Sequence, residues 1–143
     1  MIVALPPDLG PALPRLAAAA RPREACGLLV GRATADGVTV TGLAPSRNLA
    51  AEDDAFEIDT ALQLALQRRL RGSGEGVVGV WHSHPAGAPV PSARDAEGAW
   101  EAGLAWLITS GEETTAWRAL GNGQGFVPAT LSLAATPHAH DHL

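Results

Sequence analysis

At 143 residues and a formal net charge of −5, the chain is long enough to bury one sizeable hydrophobic core and too short for two. Its composition, 46% apolar and 17% charged, is that of a folded domain and not of a disordered chain. The acidic balance argues against a general nucleic-acid or anionic-membrane binder, either of which needs a basic face, and a single Cys excludes an internal disulfide.

Residues 1–5 are short and apolar and predict a strand. Leu9, Leu13, Leu16, Ala17 and Ala20 then recur at helical spacing, and Pro22 stops that helix. The N-terminus lacks a basic n-region, and Pro6, Pro7, Pro11 and Pro14 interrupt any apolar h-region. No apolar run approaches the ~18 residues of a membrane span. With one Cys, these features lead us to expect a cytoplasmic location. The apolar run at residues 26–30, between Glu24 and Gly31, predicts a buried strand, and the alternation at residues 38–41 predicts a half-buried one.

A helix is predicted over residues 60–71. Thr60 with Gln63 has the form of a capping box, and Leu62, Leu66 and Leu70 share one face. Arg68, Arg69 and Arg71 sit at the negative end of that helix dipole, and Gly72 closes it. Residues 77–81 predict a strand leading into His82. A short helix is predicted from Ser92, followed by strands near residues 104–108, 115–120 and 126–133. The product is an α/β (α+β) domain over residues 1–133, a mixed sheet with helices packed against it. Residues 134–143 lack periodicity and are expected to be a frayed, solvated tail despite the alternating His138, His140 and His142.

The chemistry concentrates in fourteen residues from His82 to Asp95. Residues i and i+2 of a strand project to one side, so His82 and His84 can aim at one point. A helix beginning at Ser92 puts Asp95 on its first turn. Two imidazoles and a carboxylate form a three-ligand set for catalytic zinc, with a fourth position left for water whose pKa zinc lowers toward ~7. Each pair also has a purely structural reading. His-x-His recurs by chance, and Ser92 with Asp95 resembles a helix N-cap and its partner. A hydroxyl at a helix start can cap the helix and still face a cavity.

The stretch His82-Ser83-His84-Pro85 … Pro91-Ser92-Ala93-Arg94-Asp95 resembles the signature of the JAMM (MPN-plus) metallopeptidases, the group that holds zinc-dependent deubiquitinases and small bacterial relatives. Residues 22–31 resemble the setting of the upstream glutamate of that family, and Asn48 and the stretch from Phe56 to Asp59 sit where bacterial members carry similar residues. The resemblance spans roughly residues 2 to 133. It implies a curved mixed sheet flanked by helices of JAB1/MPN-like (cytidine-deaminase-like) architecture. It also implies one zinc ion per chain on His82, His84 and Asp95, Glu24 as general base passing its proton to the leaving amine, and Ser92 donating to the developing oxyanion.

The implied reaction is hydrolysis of a peptide or isopeptide bond after the C-terminal tail of a ubiquitin-like protein. For a chain this small the resemblance points to a bacterial sulfur-carrier-type partner with a diglycine-type end, and away from a polyubiquitin-linkage specialist. Two alternatives stand beside it: a peptidase or amidase on a small substrate, and a non-catalytic MPN-type scaffold. Among the remaining residues, Cys26 reads as a buried inert thiol, Trp81 as core packing opposite His82, and Ser83 as structural, facing away from the two His.

Overall fold

The computed structural model of the protein describes residues 1–134. A single sheet curls on itself until its two ends meet. In chain order the elements are β1 (Ile2–Leu5), α1 (Leu9–Ala20), β2 (Cys26–Ala33), β3 (Gly37–Ser46) and α2 (Thr60–Leu70). Then come β4 (Gly76–Ser83), α3 (Ala93–Gly98), β5 (Ala105–Ser110), β6 (Glu113–Ala119) and β7 (Phe126–Leu133). The strand order is β1-β3-β2-β4-β5-β6-β7, and β7 returns to pair with β1. The pairs β1–β3, β1–β7 and β4–β5 are parallel and the rest antiparallel. The expected α+β class with a mixed, curved sheet is therefore observed, with curvature carried as far as closure.

Strand alternation divides the core in two. Leu29, Trp81 and Leu107 turn to one side, where they pack with Leu9, Leu13 and Ala17 of α1. Their immediate neighbours Leu28, Val80 and Trp106 turn to the other, where they pack with Leu66 of α2, flanked by Leu62 and Leu70. The sheet is thus buried on both faces, which explains why β2 and β5 read as continuous apolar runs. Gly79 lets two strands approach: a Cβ there would lie 2.2 Å from the Ala105 carbonyl oxygen.

Several boundaries differ from expectation. The cap of α2 is Asp59, whose side chain accepts the N–H of Ala61 at 3.0 Å, and Thr60 is the first helical residue. A carboxylate adds favourable charge at the positive helix end, and Asp59 is also held by Arg47 (3.1 Å) and by its own N–H donating to Ser46 Oγ (2.9 Å). The Arg47 hydrogen bond and the Ala61 N–H keep the Asp59 carboxyl below its usual range. β6 begins at Glu113 because Gly111, with φ of +58°, completes a tight turn from β5. Ala134 donates its N–H to Leu5 O (3.3 Å), so the expected fraying does not begin there. The alternating His138, His140 and His142 lie outside the described residues. Among the described residues no helix is long and apolar enough to cross a membrane.

A candidate metal centre

Antiparallel pairing of β2 with β4 places the entry of one strand beside the exit of the other, with Cys26 opposite His82. One step further, Ser83 N–H donates to Ala25 O (3.0 Å), and Ala25 N–H donates to Ser83 Oγ (2.8 Å). This reciprocal pair fixes Glu24, the residue before Ala25, against the end of β4. Ser83 is accordingly structural and turned to the α1 side, as expected. So is Trp81, whose Nε1–H donates to Thr109 Oγ1 at 2.9 Å.

On the opposite side of β4, His82 and His84 converge with Asp95 from α3. The His82 Nε2 to Asp95 Oδ1 distance is 3.1 Å, His84 Nε2 to Asp95 Oδ2 is 3.2 Å, and the two Nε2 atoms are 3.1 Å apart. Glu24, His82 and His84 each bring a ligand atom within 4.8 Å of the others. Glu24, His82 and Asp95 are buried, at 6%, 0% and 5% exposure, too little for water to screen their charges. The four residues anticipated from sequence therefore meet, although Glu24 is far from the others along the chain.

The arrangement fits a divalent cation. Three ligands at about 2.0–2.1 Å from one tetrahedral ion lie roughly 3.3–3.4 Å apart, close to the spacing here. Two imidazole nitrogens that present lone pairs to each other repel unless a proton or a metal cation lies between them. His84 Nδ1 lies 3.0 Å from Ala88 O; a carbonyl only accepts, so Nδ1 carries the hydrogen and Nε2 of the neutral ring keeps its lone pair. One Glu24 oxygen, Oε1, is buried without a hydrogen-bond partner among the described residues.

Electrostatics separates the groups. Burial raises the Glu24 carboxyl to about 7, with His84 opposing and the Asp95 and Asp54 charges adding. Burial also pushes Asp95 up, but hydrogen bonds from His82 and His84, the His82 charge and the Ser92 N–H together outweigh it and hold Asp95 well below the carboxylate range. Burial depresses His82, against the pull of Asp95. The Asp95 hydrogen bond raises the more open His84 in spite of burial. Two carboxyls in one site are thus driven apart, Asp95 to a permanent charge and Glu24 to a proton-exchanging group near neutrality.

Ser92 sits at the N-cap of α3. Its Oγ accepts the Asp95 N–H (3.0 Å), while its own N–H donates to Asp95 Oδ2 (2.8 Å), a complete capping box. Accepting uses a lone pair and leaves the hydroxyl hydrogen free, so both sequence readings of Ser92 remain compatible. Cys26 is 1% exposed, and burial raises its thiol to about 11, which makes it inert.

Three further residues shape the site. Asn48 uses its whole amide: Nδ2 donates to Glu24 O (3.0 Å) and Ala55 O (2.9 Å), and Oδ1 accepts from Ala50 N (2.9 Å) and Glu57 N (3.0 Å). It ties Glu24 to the segment between β3 and α2, and Arg23 adds hydrogen bonds to Asn48 O and Ala50 O. Phe56 stacks on the His82 ring, with centroids 4.4 Å apart and planes at 19°. Trp106 meets that ring edge-on at 5.6 Å. Asn48 and Phe56 were noted from sequence without a task, and Trp106 was not singled out. Nothing in its local pattern separates it from an ordinary core Trp.

Residues 9–120 match the family described as prokaryotic homologs of the JAB domain. The chain belongs to that prokaryotic JAB family. At 41% identity over 90 residues it is similar to a protein of Haloferax volcanii named desampylase, covering 62% of this chain and 63% of that one. A Pyrococcus furiosus protein of the same name is 33% identical over 95 residues, 66% of this chain and 65% of its own length. The match therefore spans just under two thirds of these relatives. Among solved structures, a Desulfitobacterium hafniense protein aligns over 99% of both chains with a TM-score of 0.81 and 29% identity. A Salinibacter ruber protein aligns over 94% of this chain and 96% of its own, with a TM-score of 0.68 and 30% identity. A JAB1/MPN domain protein from Archaeoglobus fulgidus shares the fold, with a TM-score of 0.58 at 17% identity over 90% of this chain and 96% of its own. For a prokaryotic JAB domain the expected JAB1/MPN-like architecture follows.

Proposed function

We propose that this JAB-family chain is a zinc-dependent metallopeptidase of the JAMM type, cleaving a peptide or isopeptide bond after the C-terminal tail of a ubiquitin-like protein. The observation that carries the reading is the 3.1–3.2 Å triangle of His82, His84 and Asp95 with buried Glu24 beside it. On this reading those three residues hold the ion, residues 1–133 form the catalytic domain, and the work is cytoplasmic. Zinc, when bound, supplies a Lewis acid beside the scissile carbonyl and lowers the pKa of water in the site.

Glu24 takes a proton from the attacking water and returns it to the leaving amine. Burial raises the Glu24 carboxyl above the ordinary carboxylate range, which favours taking up the proton before it is passed on. Its Oε1 has no competing partner among the described residues, and Asn48 holds its backbone in place. The Ser92 hydroxyl, anchored by the Asp95 N–H, donates its free hydrogen to the developing oxyanion. Asp95 completes the ligand set as a charged carboxylate, and the Ala88 carbonyl orients His84 through its Nδ1–H.

The substrate class is supported by the desampylase names of two relatives, which denote removal of a conjugated ubiquitin-like modifier. A sulfur-carrier-type protein with a diglycine-type end is the partner expected for so small a domain. The test is mass spectrometry of candidate carriers extended or conjugated beyond that end, incubated with the zinc-loaded protein and with Glu24→Gln. Cleavage by the first and at least ~100-fold slower cleavage by the second is expected; equal cleavage by both refutes the mechanism.

A further inference from the structure

The loop between β4 and α3, residues 85–91, joins His84 to Ser92, and two strand hydroxyls that the chemistry above does not use reach into it. Three successive loop carbonyls are each taken by a different side chain. Ser110 Oγ donates to Gly87 O (2.6 Å), His84 Nδ1–H donates to Ala88 O (3.0 Å), and Thr115 Oγ1 donates to Pro89 O. Ala88 O also accepts the Val90 N–H at 2.9 Å, so both of its lone pairs are committed.

Sheet register explains why these two hydroxyls arrive together. Ile108 of β5 pairs with His82 on one side and with Thr115 on the other, so the three side chains share a face. Ser110, two residues beyond Ile108, projects to that same face. The Thr115 hydroxyl has a single hydrogen and two carbonyls in reach, Pro89 O and, at 3.5 Å, Ile108 O. Trp117 Nε1–H donates to the Thr115 oxygen at 2.9 Å, which leaves the hydroxyl hydrogen for the nearer Pro89 O. Apart from His84 itself, Ser110 and Thr115 supply the side-chain hydrogen bonds made to this loop among the described residues.

A neutral imidazole has two tautomers, and only the one with hydrogen on Nδ1 leaves the Nε2 lone pair for a cation. For His84 that choice falls to Ala88 O, and a loop carbonyl is only as fixed as the peptide units on either side of it. His82 has no comparable partner: its Nδ1 is buried without a hydrogen bond among the described residues, and its ring is held by the stack on Phe56. Resting on the metal-centre reading behind the proposed peptidase, we infer that Ser110 and Thr115 are positioning residues. By pinning Gly87 O and Pro89 O they fix the Ala88 carbonyl between them, which keeps His84 in the tautomer that presents Nε2 to the metal.

The experiment compares the full wild-type chain with Ser110→Ala, Thr115→Val and the double variant. Ser110→Thr and Thr115→Ser keep the hydroxyls, and Thr41→Val, which removes a β3 hydroxyl bonded to Glu75, is the control. Zinc affinity is read by competition with a chromophoric chelator. Ring tautomers are read by nitrogen NMR of the zinc-free chains at alkaline pH, with each ring carrying one proton. The double variant should bind zinc about tenfold more weakly, and its His84 signals should move toward a mixture of tautomers while those of His82 stay put. The hydroxyl-keeping variants should stay within about twofold of wild type, and Thr41→Val should change neither readout. Should Thr115→Val fail to fold, Ser110→Ala alone should still weaken zinc about threefold and shift His84. Unchanged zinc affinity or an unchanged His84 tautomer in folded variants overturns the inference, as does an equal loss in the hydroxyl-keeping variants or in Thr41→Val. A wild-type chain that takes up no zinc refutes the metal-centre reading instead, and the His84 tautomer then decides the role of the two hydroxyls.

Discussion

Replacing Glu24 by Gln in the chelator-treated protein is expected to change how stability depends on pH. The folded carboxyl titrates at about 7 and the ordinary value is 4.5. Below pH 4.5 both folded and unfolded chains carry the proton, so Glu24 creates no pH slope. As pH rises, the unfolded chain releases it first, and the folded chain keeps it until about pH 7. Across that window the native state binds more protons, and stability falls by about 1.4 kcal/mol per pH unit. The loss approaches roughly 3 kcal/mol and is complete above pH 7. Gln has no such step, while Asp95 stays charged in both folded proteins and the shifts at His82 and His84 are common to both apart from the attraction between His84 and Glu24. The assay is urea unfolding of both proteins from pH 4 to 8. The wild type should lose about 3 kcal/mol relative to Glu24→Gln, and returning zinc to the wild type should recover part of it. Stability curves that stay parallel would refute the burial argument for Glu24.

Other outcomes follow from single contacts. His82→Ala or Asp95→Asn should reduce bound zinc from about one equivalent to a small fraction, measured by elemental analysis of protein purified without a His-tag. Asn48→Ala removes three half-buried hydrogen bonds and one exposed one and should cost about 2–3 kcal/mol in denaturant unfolding, with turnover falling because Glu24 loses its tether. Gly79→Ala would force a methyl to within 2.2 Å of a backbone oxygen, and should lower the unfolding free energy by at least about 2 kcal/mol.

What could be read from sequence was what is local. His82 and His84 were visible because strand geometry alone puts i and i+2 on one side, and Asp95 because Ser92 marks a helix start. Glu24 reaches them through the pairing of Cys26 with His82, a contact across the chain with no local signature, so only the family likeness pointed to it. Closure of the sheet was hidden for the same reason: β1 meets β7 across nearly the whole chain. The cap of α2 was misplaced by one residue because Thr60 and Asp59 both fit a cap by type. Tertiary partners, Arg47 and Ser46, decided it. Phe56 was noted without a role and Trp106 not at all, because nothing local in the sequence shows that the ring they pack against is His82.

The capping box of α3 has a mechanical consequence. Six residues are too few for a helix to persist unaided, so α3 depends on its anchor at the first turn. That anchor is the Asp95 carboxylate, whose Oδ2 serves both Ser92 N–H and His84 while Oδ1 serves His82. Two oxygen atoms therefore knot the short helix to the histidine pair. Any force that displaces the carboxylate slackens the helix, and with it Arg94 and Gly98 on the wall of the neighbouring cavity.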